Sequence, residues 1–149
     1  ARTWGGGAFH RNAGHVLQAT VHRPPRAARA SLRGGKHAGL AFQEYNAAFP
    51  HKKWTMGFAG RPGGPAFYIS TVDNTRNHGP GSQGSKSEAD ACFGRVRVED
   101  PGTKAAVERL FSVWGHTSKG FGKDRMGFLA DRSQHVLISE LRIASSSKN

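Results

Sequence analysis

The strongest constraint on this chain is a run of strand-forming residues fenced by residues that cannot continue a strand. Ala66 to Val72 joins Phe67 and Tyr68 to Ile69, Thr71 and Val72, the aromatic and β-branched types that suit a pleated, half-buried surface. Gly60 to Pro65 brings two prolines and three glycines before it, and Asn74 to Gly84 brings Gly, Ser and Asn after it; both flanks read as surface loops. Ala91 to Phe93 is a short apolar run that leads through Gly94 into alternating Arg95, Val96, Arg97 and Val98, the period of a strand with one wet face. A loop-rich β protein follows, and 36% hydrophobic residues with 20 glycines agree with it.

The rest of the chain fits around that stretch. Ala8 to Arg11 and His15 to Val21 read as a pair of short strands, or one bent strand, around Asn12-Ala13-Gly14. Leu40 to Tyr45 is a further strand candidate with weak alternation, and Ala47 to Lys53 is a connector. One helix is expected at about 102–114. Asp100 can cap it, Pro101 suits its first turn, and Val107, Leu110, Phe111 and Trp114 fall on one face. His135 to Ile143 reads as a closing strand, Gly120 to Arg125 as a loop, and 144–149 as a polar tail. At 149 residues the expectation is a single domain over 1–149.

Charge and cysteine content narrow the function classes. The formal net charge is +12, and residues 1–53 carry nine basic side chains against Glu44 alone, a net of +8. The densest part is a loop insertion at about 22–37, where Arg23, Arg26, Arg29, Arg33 and Lys36 stand without an acid. These five are the candidate polyanion-binding residues, for RNA or an acidic protein surface. Cys92 is the single cysteine, so no internal disulfide forms, and its apolar neighbours predict a buried, inert thiol. With no His-Glu-x-x-His and no phosphate-loop spacing, neither a metal site nor a cofactor is expected. Asp73, Asp90 and Asp131 are scattered, which predicts solvated or turn-capping roles. No apolar run approaches the roughly 18 residues of a membrane helix. The sequence opens on Ala1 rather than Met. A removed leader or a start lying outside this sequence accounts for that, and the expected compartment is intracellular, an organelle if an Arg-rich leader was cleaved.

Four segments in order carry a family resemblance: Phe9-His10-Arg11 with Gln18, Thr55-Met56-Gly57-Phe58-Ala59-Gly60, Gly64-Pro65-Ala66-Phe67-Tyr68-Ile69, and Phe93-Gly94-Arg95-Val96. They resemble the heart of the cyclophilins, the peptidyl-prolyl cis-trans isomerases, over roughly residues 9–143. The corresponding family segments read Phe-His-Arg, Ser-Met-Ala-Asn-Ala-Gly, Gly-Ser-Gln-Phe-Phe-Ile and Phe-Gly-Lys-Val. The resemblance implies a mainly β fold, a closed antiparallel barrel with capping helices. The family carries two strands and a helix ahead of Phe-His-Arg, so here the barrel is expected to be incomplete at its N-terminal side or completed by another chain.

The resemblance also implies a site. Prolyl isomerisation needs no nucleophile or metal, because its barrier, about 18–20 kcal/mol for a general peptide bond, comes from amide resonance. Arg11 is the implied catalytic residue, a guanidinium that weakens that resonance by donating to the prolyl amide. Gln18 matches the substrate-orienting Gln, and Gly57, Phe58 and Ala59 match the Ala-Asn-Ala that meets the peptide backbone. Tyr68 stands for the Phe that floors the proline pocket, adding a hydroxyl that needs a partner. His15 and Val16 fall near the Phe-Met pair, and Asp90 occupies the place of the pocket histidine. Ala66 replaces a Gln, and the pocket tryptophan has no counterpart between Thr71 and Glu88. Two expectations therefore stand. One is a binder of proline-containing segments with isomerase activity. The other is a catalytically weak subunit of a large assembly that uses its basic loop on RNA or an acidic protein.

Overall fold

A computed structural model of the chain describes residues 3–21, 45–59, 66–82, 89–113, 129 and 131–142. Its strands are β1 (Thr3–Asn12), β2 (Val16–Val21), β3 (Thr55–Phe58), β4 (Ala66–Ser70), β5 (Cys92–Arg95) and β6 (Val136–Arg142). Two helices accompany them, α1 (Thr75–His78) and α2 (Pro101–Val113). The strands form one open sheet in the order β5-β3-β4-β2-β1-β6, with every neighbouring pair antiparallel. Among the described residues β5 and β6 are its two edges, so the fold is mainly β and the ladder does not close on itself.

β4 and β2 lie at the centre of the sheet, and the turn of the hairpin that joins β1 to β2 is built by local chemistry. Gly14 adopts φ 81°, the Asn12 side chain accepts a 3.0 Å hydrogen bond from the Gly14 N–H, and the Ala13 N–H donates to the Val16 carbonyl; such left-handed turn positions favour glycine. Three residues back, the register shifts: Phe9 lies opposite Ala19, but Arg11 lies opposite Gln18. His10 is the extra residue of a bulge, and its carbonyl accepts from the Leu129 N–H. In an unbroken strand Phe9 and Arg11 would share a face. The bulge sends them to opposite faces.

One face is the apolar core. Phe9, Leu17, Ala19, Phe67 and Ile69 point there, with Val96, Val107 and Leu129 buried among them. Met56, Phe58, Val136 and Ile138 complete the sheet side, and Leu110 and Phe111 of α2 pack from the other side. Burial of each large side chain contributes about 1.5–3 kcal/mol. α2 starts as its residues dictate. The Asp100 carboxylate accepts from the Thr103 N–H at 2.6 Å, Pro101 takes the first position, where no N–H is needed, and the Asn12 amide donates to the Phe111 carbonyl in the last turn.

Several expectations need correcting. The strand placed at Arg95 to Val98 is instead Cys92–Arg95. Beyond it the Val96 N–H donates to Trp54 and the Val98 N–H to Val96, a bend toward α2, so Val96 and Val98 owe their alternation to the core rather than to a sheet. β4 stops at Ser70, and Val72 is exposed. The loop expected at Asn74 to Gly84 contains α1, with Asn74 and His78 buried. Cys92 is half-buried rather than buried. The segment 40–44, Trp114, the loop at 120–125, the basic loop 22–37 and the tail 144–149 lie outside the described residues.

Trp54, at the entry to β3, is the one non-glycine with positive φ among the described residues, at 72°. That conformation costs roughly 1–2 kcal/mol. It is held because the Trp54 N–H donates to Ser70, its carbonyl accepts from Val96, and its indole stacks on Phe111 at 5.6 Å.

Candidate functional site

The second face of the sheet carries the polar chemistry. Register pairs Arg11 with Gln18, Gln18 with Tyr68, and Tyr68 with Gly57, so these four residues form one row across four strands and share a face. Arg11 donates through Nη1 to Gln18 Oε1 at 3.0 Å. Tyr68 is buried and packs with Ala13, Val16 and Ala59. Gly57 is required where it stands, because a Cβ there would sit 2.5 Å from the Tyr68 hydroxyl oxygen. The family alanine expected at that place would displace the ring.

Behind the row the Tyr68 hydroxyl enters a buried cluster. It donates to Asp90 Oδ2 at 3.0 Å and lies 3.2 Å from His51 Nδ1. His78 Nδ1 meets the same Asp90 oxygen at 2.6 Å, and His51 Nε2 reaches the Asp90 carbonyl at 2.8 Å. Asp90 is 1% exposed and His51 0%. Asn74 ties the surroundings together. Its side chain donates to the His15 carbonyl at 2.7 Å, its N–H to the His51 carbonyl, and its carbonyl accepts from the His78 N–H. The His15 ring then stacks on His78 at 5.5 Å.

Of the residues expected at the site, Arg11, Gln18, Gly57, Tyr68, Val16 and Ala59 are thus gathered on one face, with His15 beside them. Two sit differently. Phe58 pairs with Phe67 and projects into the apolar core face, where it stacks on Phe93 at 4.4 Å, so only its backbone is available to the opposite side. Asp90 is an interior acceptor for Tyr68 and His78 rather than a groove residue, and it is neither solvated nor turn-capping. The sequence reading missed His51, His78 and Asn74. Their signal was indirect: a buried tyrosine hydroxyl and a buried carboxylate each demand partners, but nothing local names a partner 17 residues away.

Asp73 and Asp131 do cap turns, as expected. Lys52, followed by the Thr75 hydroxyl and N–H, holds the Asp73 carboxyl well below the usual carboxylate range. Ser133 lowers Asp131 in the same manner through its hydroxyl and N–H. Among the described residues no group of three His, Cys, Asp or Glu side chains is arranged to hold a metal ion, and no helix is long and apolar enough to cross a membrane. Arg23, Arg26, Arg29, Arg33 and Lys36 fall outside the described residues. No family model, curated protein or solved structure matches this chain.

Proposed function

We propose that the polar face binds proline-containing protein segments as a cyclophilin-like domain does, its six strands being part of a cyclophilin-like barrel, and that Arg11 promotes cis-trans isomerisation of the bound prolyl bond. The observation that carries this reading is the row Arg11, Gln18, Tyr68, Gly57, which sets the one guanidinium of the motif beside an apolar floor. Its chemistry is differential binding. A guanidinium donating to the prolyl amide favours the twisted form, in which the nitrogen lone pair is localised, over either planar form. Gln18 fixes the direction of Arg11 through the 3.0 Å bond. Tyr68, Val16 and Ala59 offer the apolar surface for the ring. An exchange assay on proline peptides tests this. Arg11→Ala is expected to lower the rate enhancement by about 100-fold or more, and equal, background rates for both proteins would remove the reading.

A second reading rests on charge. The +12 balance, concentrated ahead of residue 54, supports a structural subunit whose basic loop lies on RNA or an acidic protein. Binding to RNA that weakens steeply with salt, and that Arg26, Arg29 and Arg33 substitutions blunt, is expected on this reading. Salt-insensitive binding would exclude it.

A further inference from the structure

The buried cluster contains more hydrogen bonds than its ordinary protonation state has hydrogens. Four contacts must each hold one hydrogen: His78 Nδ1 to Asp90 Oδ2, Tyr68 to Asp90 Oδ2, His51 Nδ1 to Tyr68, and His51 Nε2 to the Asp90 carbonyl. A carbonyl only accepts, and so does an ionised carboxylate. Two neutral imidazoles bring one hydrogen each, Tyr68 brings one, and an ionised Asp90 none. The count is one short. If His51 donates through Nε2 to the carbonyl, then its Nδ1 must also carry a hydrogen for Tyr68 to donate to Asp90. Alternatively Tyr68 donates to His51, and Asp90 itself supplies the hydrogen between the two oxygens.

We propose that His51, Tyr68, Asp90 and His78 form a proton-binding site that takes up one proton on folding, held on His51 or Asp90 with Tyr68 bridging the two. The site is closed from several sides. His51 comes from the connector before β3, Tyr68 from β4, His78 from α1 and Asp90 from the residues leading into β5. Among the described residues, the other ionisable groups beside it include His15, stacked on His78 from the hairpin turn, Arg11, directed at Gln18 next to Tyr68 in the row, and half-buried Cys92 on β5. Lys52 and Asp73 pair with each other at the surface. Loss of the proton leaves one of the four contacts without a hydrogen and loosens the connector and α1 from the sheet. This inference does not depend on whether the face takes peptides.

Two measurements on the whole chain test it. Nitrogen NMR of the histidine rings together with carbon NMR of the aspartate carboxyls, at about pH 7.5, where an unfolded histidine is neutral, is expected to show either His51 as an imidazolium or Asp90 as a carboxylic acid. A neutral His51 beside an ionised Asp90 overturns the proposal. Folding linkage gives an independent reading. Above about pH 7 the folded state holds one proton more than the unfolded chain, so the folding constant is expected to fall about tenfold per pH unit until the site empties. Tyr68→Phe, which removes the bridge, is expected to flatten that slope. A slope that Tyr68→Phe leaves unchanged overturns the proposal, and should the variant fail to fold, the NMR result on the unaltered chain decides.

Discussion

The two faces of the sheet are held by different physics. On the face under α2, contact is non-directional: Leu17, Ile69 and Phe67 gain from exclusion of water whichever apolar neighbours they meet, and substitutes of similar volume serve nearly as well. On the other face, each group depends on a named partner at a stated atom: Tyr68 and His78 both meet one oxygen of the buried Asp90, and a buried polar group that loses a partner is costly. Apolar packing therefore degrades gradually under mutation. The polar cluster fails as a unit.

The sharpest break of this contrast is Asp90→Ala. It is expected to destabilise the fold by about 3–5 kcal/mol, measured by denaturant unfolding, whereas Tyr68→Phe with the aspartate retained should lose much less. A small loss at Asp90→Ala would mean that the polar face is no more particular than the apolar one. Leu17→Ala, at the centre of the core, should follow at about 2–5 kcal/mol. Leu17→Met should recover most of that loss, the recovery being the mark of a non-directional face. Asn74→Ala removes one of the two donors to the His15 carbonyl, the other being the Thr71 N–H, and should cost about 0.5–1.5 kcal/mol, with faster hydrogen exchange at Thr71 and His78, whose amides report the junction Asn74 holds.

The smallest effect belongs to the exposed carboxylates that cap turns. Thr103 lowers Asp100, its side chain first and then its N–H, and Asp73 and Asp131 are lowered likewise. A carboxyl whose folded value lies below its unfolded one contributes stability that is present above the unfolded value, near 3.9, and is lost as pH falls through the folded one. Acid titration below about pH 4 should therefore weaken the first turn of α2 before the core, read as early exchange at the Thr103 amide, and Asp100→Ala should abolish that early step. A polar cluster that loosened ahead of α2 in the same titration would reverse the ranking.

The same contrast explains what could be read from the residues alone. Apolar contact leaves a periodic trace, so β2, α2 with its Asp100 cap and the closing strand were legible near their true limits, whereas β1 was read only from Ala8 although it starts at Thr3, and β4 was carried two residues too far. Val96 and Val98 show the weakness of that trace, because alternation records burial and not sheet membership. The row of Arg11, Gln18, Gly57 and Tyr68 was approached through resemblance, and Phe58 was misplaced because parity of facing along β3 had not been fixed. His51, His78 and Asn74 were not legible at all, since a directional bond between residues distant in sequence leaves no pattern along the chain. Asp90, read as a scattered carboxylate with a solvated or turn-capping role and by resemblance as a groove residue, is the clearest instance.

The bulge at His10 has a consequence for how this strand can change. Side chains along β1 alternate like the two colours of a chessboard, and the supernumerary residue lets Arg11 occupy the square that its distance from Phe9 would otherwise deny it. Losing His10 alone would make Phe9 and Arg11 chain neighbours, which alternation already places on opposite squares, so the colouring would survive; losing a second residue would trade the inside for the outside on one side of the gap. The bulge therefore gives this hairpin one residue of slack, and only a shortening beyond it exiles the guanidinium to the interior.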